Sequence, residues 1–170
     1  MTPGARVAAA IEILDQVRDG QPAEQALTRW ARASRFAGSG DRAAIRDHVY
    51  DVLRNWRGDA CRGGGETGRA RMIGRLRAEG VAPADLFDGV GHAPPHLTVA
   101  ERASGHAPED VGDRWNLPDW LVEAFSDSLG AQAEAAATAL NTRAPVTLRV
   151  NASKTDRTEA QARLSAEGVE

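Results

Sequence analysis

The hydrophobic pattern of this chain changes period once, at Pro145, and that change constrains its fold more than any other feature. Before it, apolar residues recur at helical spacing between glycine and proline breaks. Val7, Ile11, Leu14 and Val17 mark a helix from Pro3 to Asp19, which Gly20 stops. Pro22 opens a second helix, with Ala23, Leu27 and Trp30 on one face and Gln25, Arg29 and Arg32 roughly opposite. Gly38-Ser39-Gly40 breaks the chain, and Ser39 or Asp41 is placed to cap a third helix running to about Trp56. Its core stripe is Ile45, Val49, Val52 and Trp56. CRGGGETG, from Cys61 to Gly68, has the composition of a flexible loop. A fourth helix is predicted over Thr67 to Glu79, with Ala70, Ile73 and Leu76 inward and Arg71 and Arg75 outward. Beyond residue 81 the pattern weakens to a helical turn in VAPADLFDG, an extended GHAPPHL and a brief helix capped by Thr98. Pro118 then opens a helix burying Leu121, Val122 and Phe125, and the alanine-rich AQAEAAATALN forms another ending near Asn141.

After Pro145 the period becomes two. VTLRVN, from Val146 to Asn151, alternates and is β-branched, so it reads as a strand, and DRTEAQARLSAEG follows as a helix capped by Thr158 or Asp156. One strand makes no sheet. The expected fold is all-α over residues 1–143, followed at 144–170 by the β-α start of an α/β domain.

The core of such a chain is small. Thirty-two of the 170 residues are alanine, while Leu, Ile, Val and Phe together number 31. A net charge of only −3 argues against disorder, so a few tryptophans are expected to carry much of the burial. The charge is uneven: residues 1–80 hold 14 arginines against 10 acidic residues, and residues 81–170 hold 7 basic against 14 acidic. That asymmetry puts any basic working surface on the first half.

The arginines concentrate in RASRFAGSGDRAAIRDHVYDVLRN, Arg32 to Asn55. On the third helix Arg46, Tyr50, Arg54 and Arg57 follow one another at i, i+4, i+8 and i+11, beside the core stripe. Guanidiniums grip phosphate through paired N–H bonds, and an interleaved aromatic ring can stack on an unpaired base. The same spacing also suits a solvated face in which the arginines pair with Asp47 and Asp51 while Tyr50 packs on a neighbouring helix. Composition and spacing leave both readings open.

No catalytic set is present. Pro94 and Pro95 between His92 and His96 destroy the helical geometry that would aim both at one metal. His48 lies beside the core stripe and reads as structural. Cys61 is the only cysteine, which excludes an intrachain disulfide and a cysteine zinc cluster and suits a reducing, cytoplasmic setting. It stands without a nearby histidine, so it is no nucleophile. The glycines at 63–65 follow no strand, and no phosphate-cradling glycine motif occurs. Glu12 and Asp15 interrupt the first apolar run before a secretory segment develops, and no stretch reaches membrane-spanning length.

Three stretches together resemble one family: ARVAAAIEILDQV (Ala5 to Val17), SRFAGSGDRAAIRDHVYDVLR (Ser34 to Arg54), and LPDWLVEAF with LNTRAPVTLRVNASKTDR (Leu117 to Arg157). They look like the N-terminal part of the ribosomal RNA small-subunit methyltransferase B family, RsmB, also called Fmu or Sun. The run Ala-Pro-x-x-Leu-Arg-Val-Asn resembles the start of that family's middle, RNA-recognition-like domain. Asp41-Arg42 with Val52-Leu53-Arg54 is also similar to the NusB antitermination factor. The resemblance covers nearly the whole chain, with Gly58 to Trp115 matching loosely.

The resemblance implies a NusB-like helical bundle over 1–143 that helps hold ribosomal RNA, followed at 144–170 by a fragment of the RNA-recognition-like domain. It implies a parent enzyme that makes 5-methylcytosine from S-adenosylmethionine. The family's cofactor-binding and catalytic parts lie further along, and neither paired catalytic cysteine occurs here, so no residue of this chain receives a catalytic role and no cofactor is expected in it. The expected RNA-binding set is Arg32, Arg35, Arg42, Arg46, Tyr50, Arg54 and Arg57. Expected partners are ribosomal RNA and the downstream catalytic domain, with no membrane and no metal. Two other readings stand beside this one: a NusB-like antitermination or RNA- and protein-binding factor, against which the segment from Val146 counts, and a helical protein-interaction domain without an RNA role.

Overall fold

The computed structural model describes residues 1–169, and all regular structure among them is helical. The main core is enclosed by α1 (Pro3–Arg18), α2 (Ala23–Ala33), α3 (Ser39–Arg54), α4 (Trp56–Gly63) and α5 (Gly68–Ala78), with α1 packed against α2, α3 and α5. Val7, Ile13 and Leu14 from α1, Ile45, Val49 and Val52 from α3, and Met72, Ile73 and Leu76 from α5 close over one another. Phe87, following a 3-10 turn at Pro83–Asp85, fills the remaining space. Alanine at positions 9, 10 and 26 lets these helices approach closely enough for so few large side chains to make a continuous core.

The third helix ends at Asn55 rather than Trp56, and the predicted loop at Cys61 to Gly68 is half helix. Cys61 to Gly63 form the last residues of α4, and Gly64 stops it in the left-handed region at φ 75°. Glycine composition misleads here because Gly63 is required by a close approach to α5: a β-carbon on it would lie 1.7 Å from the Ala70 carbonyl oxygen. Arg71 and Arg75 do not face outward either. Arg71 is 2% exposed, its guanidinium 3.8 Å above the Trp56 ring and bonded to the Trp56 carbonyl and the Glu66 carboxylate. Arg75 reaches to 3.8 Å from the buried Asp59. A cation at a core-adjacent position is tolerated when a ring face and acceptors replace its water.

Beyond α6 (Val99–Ala103), a second and smaller cluster gathers α7 (Val111–Trp115), α8 (Asp119–Leu129) and α9 (Ala133–Leu140). Trp115, Leu117, Ala133 and Ala137 are its buried centre, with Leu121, Val122 and Phe125 half-buried around them. The helix that Pro118 opens therefore does turn these three apolar residues toward a core, though a separate one.

Val146 to Asn151 takes up no regular structure and forms no strand. A strand exists by its ladder, and among the described residues none lies alongside; the backbone groups of residues 144–150 make no hydrogen bond. The segment instead leans on α10 (Arg157–Ala166), where Leu148 and Val150 share a cleft with Ala160 and Leu164. Asp156, not Thr158, caps α10, its carboxylate accepting the Glu159 N–H at 2.8 Å.

Candidate nucleic-acid interface

The α2–α3 junction explains where the arginines stand. Ser34 ends α2, and the Ala37 N–H donates to the Ser34 carbonyl at 3.0 Å, closing a turn whose two ends are buried. Asp41 then fixes the first turn of α3 by accepting the Gly38 N–H at 3.2 Å. The same carboxylate takes the Met1 ammonium at 3.1 Å and Arg6 Nε at 2.9 Å. These donors hold Asp41 below the usual carboxylate range. The acid nearest the turn is thus neutralised from behind and leaves the arginines of the junction unpaired.

Arg32, Arg35 and Arg42 are exposed, and their guanidiniums have neither a hydrogen bond nor an ion pair among the described residues. With Thr28 and Ala31 they line a groove of about 490 Å³ between α2 and α3. It runs into a second groove of about 480 Å³ whose walls include Leu27, Trp30, Ile45 and Arg46. Arg46 is itself more than half exposed, with Asp47 no closer than 3.9 Å. Asp47 also lies 3.7 Å from Arg143. The structure therefore brings four of the predicted residues, Arg32, Arg35, Arg42 and Arg46, onto one pair of adjoining grooves.

The other three are engaged elsewhere. The Tyr50 hydroxyl donates to Glu24 Oε1 at 3.3 Å, tying α3 to α2, and burial together with that carboxylate raises its pKa. Arg54 is paired with Asp51 one turn back. Arg57 lies on α4, beyond the break at Asn55, so the stripe does not continue to it. Its guanidinium donates to Asp113 at 2.7 Å, Asp119 at 2.6 Å and the Leu117 carbonyl at 2.9 Å, bracing the second cluster against α4.

Phe36 was not among the predicted residues. It sits at the tip of the Ser34–Ala37 turn and is 76% exposed. Its sequence signal is an aromatic residue beside Arg35 in a glycine-rich break, where helical periodicity gives it no core role.

The remaining reactive groups are quiet. The Cys61 thiol donates to Asp113 Oδ2 at 3.4 Å, and burial and this carboxylate push its pKa up, away from thiolate character. His48 is half-buried, and burial lowers its pKa. Among the described residues no group of three or more His, Cys, Asp or Glu side chains converges as a metal-binding set, and no helix is long and apolar enough to cross a membrane.

Residues 117–170 match the family model of the RsmF/B-like methyltransferase ferredoxin-like domain. The matched span contains α8, α9, the segment at 146–151 and α10, and supports a relationship to the RsmB/Fmu methyltransferases in broad terms. No curated protein and no solved structure matches the chain.

Proposed function

We propose that this chain is the RNA-holding part of a methyltransferase that makes 5-methylcytosine in small-subunit ribosomal RNA, and that residues 1–143 form a NusB-like helical unit serving that purpose. The observation that carries the reading is the family match over 117–170, joined in one chain to a groove whose guanidiniums have no partner. Arg32, Arg35, Arg42 and Arg46 are placed to take successive phosphates, since a guanidinium already saturated by carboxylate has little to offer an anion. Tyr50, Arg54 and Arg57 serve the fold in this reading. The matched span overlaps the last two helices of the unit and favours a methyltransferase module over a NusB-like factor standing alone.

S-adenosylmethionine belongs to the parent enzyme in this reading, and none of its contacts is assigned to a residue of this chain. We derive no chemical step from this chain and assign the transfer to the parent enzyme.

The reading is tested by salt dependence. Affinity for a small-subunit ribosomal RNA hairpin should fall with salt at a log–log slope of about −0.7 to −0.9 per phosphate contact. Replacing Arg42 and Arg46 by Glu should weaken binding and flatten the slope while the melting temperature holds. Unchanged binding in that variant would remove the groove from the interface.

A further inference from the structure

We propose that the turn between α2 and α3 seats one unpaired RNA base on the ring of Phe36, with the flanking phosphates held by Arg32, Arg35 and Arg42. The inference rests on the RNA reading above and adds to it the class of nucleotide recognised.

The turn is built to present this ring. Ser34 and Ala37 anchor its ends in the helical unit through burial and their mutual hydrogen bond, so its two central residues, Arg35 and Phe36, project outward. Exposure of an aromatic ring is by itself unremarkable. What distinguishes Phe36 is its company. In the chain Phe36 stands between Arg35, which lines the arginine groove, and Ala37, which lines the adjoining one. Arg35 joins Arg32 and Arg42 in that groove, and these guanidiniums have no counter-ion among the described residues. An exposed ring next in the chain to a groove of free cations complements a ligand that is itself flat and carries an anion on each side, which describes a nucleotide within a strand.

Space and exclusion agree with this. A β-carbon on Gly40 would meet nothing within 4 Å, and one on Gly38 only Asp41 Oδ2 at 3.8 Å, so the start of α3 that follows the turn is open to a sugar-phosphate backbone. Tyr50, the aromatic residue on the arginine stripe, is held to Glu24 by its hydroxyl. In a duplex both faces of each base are already stacked, so an exposed ring can recruit only a base that is unpaired or splayed out. The site therefore selects loops, bulges and single strands over paired stems, and the selection resides in Phe36 while most of the affinity resides in the arginines.

The test uses the whole chain and two RNAs: a fully paired duplex, and the same duplex with one unpaired fluorescent purine analogue bulged from one strand. The wild type should bind the bulged RNA about tenfold more tightly than the paired one, with quenching of the analogue. Phe36→Ala should bind both alike, at the level of the paired duplex, with an unchanged melting temperature because the ring is outside the core. Phe36→Trp should keep both the preference and the quenching. Arg35→Glu with Arg42→Glu should weaken binding to both RNAs. Equal binding of both RNAs by the wild type, or a preference surviving Phe36→Ala, overturns the base seat and leaves RNA binding standing. Failure of the wild type to bind either RNA overturns both.

Discussion

The backbone carbonyl of Asp59 on α4 and the α-carbon of Gly74 on α5 face each other so closely that a β-carbon on Gly74 would lie 1.9 Å from that oxygen. With the Gly63–Ala70 approach, this makes the α4–α5 crossing a contact of backbone on backbone. It also sets the position of α4, from which Arg57 and Cys61 reach Asp113.

Gly74→Ala is accordingly expected to be strongly destabilising. Alanine gains about 1 kcal/mol of helix propensity over glycine. Displacing a backbone carbonyl inside a packed crossing costs more, so a net loss of about 3 kcal/mol or more is expected in urea denaturation. Gly40→Ala is the control: with no atom in the way, it should hold or slightly raise stability. Equal behaviour of the two variants would mean that the crossing relaxes freely.

Asp59 itself is fully buried between Arg62 and Arg75, which approach to 3.9 and 3.8 Å without hydrogen-bonding it, with Glu79 and Arg71 further off. Desolvation outweighs the arginines and pushes its carboxyl up to about 7. The folded protein thus keeps a proton that the unfolded chain, with an ordinary carboxyl near about 4, gives up. The resulting stability is fully present below about pH 4 and is lost as pH rises to about 7. Asp59→Asn removes that dependence. Its melting temperature should exceed the wild type's at pH 8 and approach it at pH 5. A variant less stable than the wild type at pH 8 would show that the ionised Asp59 is worth more to Arg62 and Arg75 than its burial costs.

Arg57 offers a separation of folding from binding. Its three acceptors all lie in the second cluster or at its edge, so Arg57→Ala should loosen α7 to α9. Amides around Trp115 and Ala137 should exchange faster, while those at Ile45 and Val49 keep their protection. RNA affinity should change little, in contrast to the groove variants. A loss of affinity as large as theirs would return Arg57 to the interface.

Part of this fold is legible in the sequence and part is not. Ile45, Val49 and Val52 were legible because a helix facing a core reports its burial through period alone, and the arginines at 32, 35, 42 and 46 because charge clusters in sequence when it clusters at one helix junction. Arg57 stands on α4 and not on the expected third helix because of the break at Asn55, and its acid partners lie more than fifty residues away, which no local pattern encodes. Arg71 was turned inside out for a similar reason: only the tertiary placement of Trp56 offers its guanidinium a ring face. Phe36 was passed over because periodicity identifies what is buried and is silent about a ring held out at a turn.

The segment at residues 146–150 carries the last prediction. Val146 and Leu148 are among the most exposed large apolar residues described, and among the described residues no backbone hydrogen bond protects 144–150. Amide protection follows hydrogen bonding and burial, so these amides should exchange at close to the rate of an unstructured peptide. Ile45, Val49 and Val52, inside α3 and wholly buried, should be the slowest in the same experiment. The cleft that Leu148 and Val150 share with Leu164 is shallow, so Leu164→Ala should leave the global melting temperature within about 0.5 kcal/mol of the wild type in stability terms. Strong protection at 146–150 in a chain shown by sedimentation to be monomeric would contradict this, because it would require a ladder partner within the chain itself. Protection appearing only as concentration rises would instead identify strand pairing between two copies, the expected fate of a β-branched segment whose edges are open.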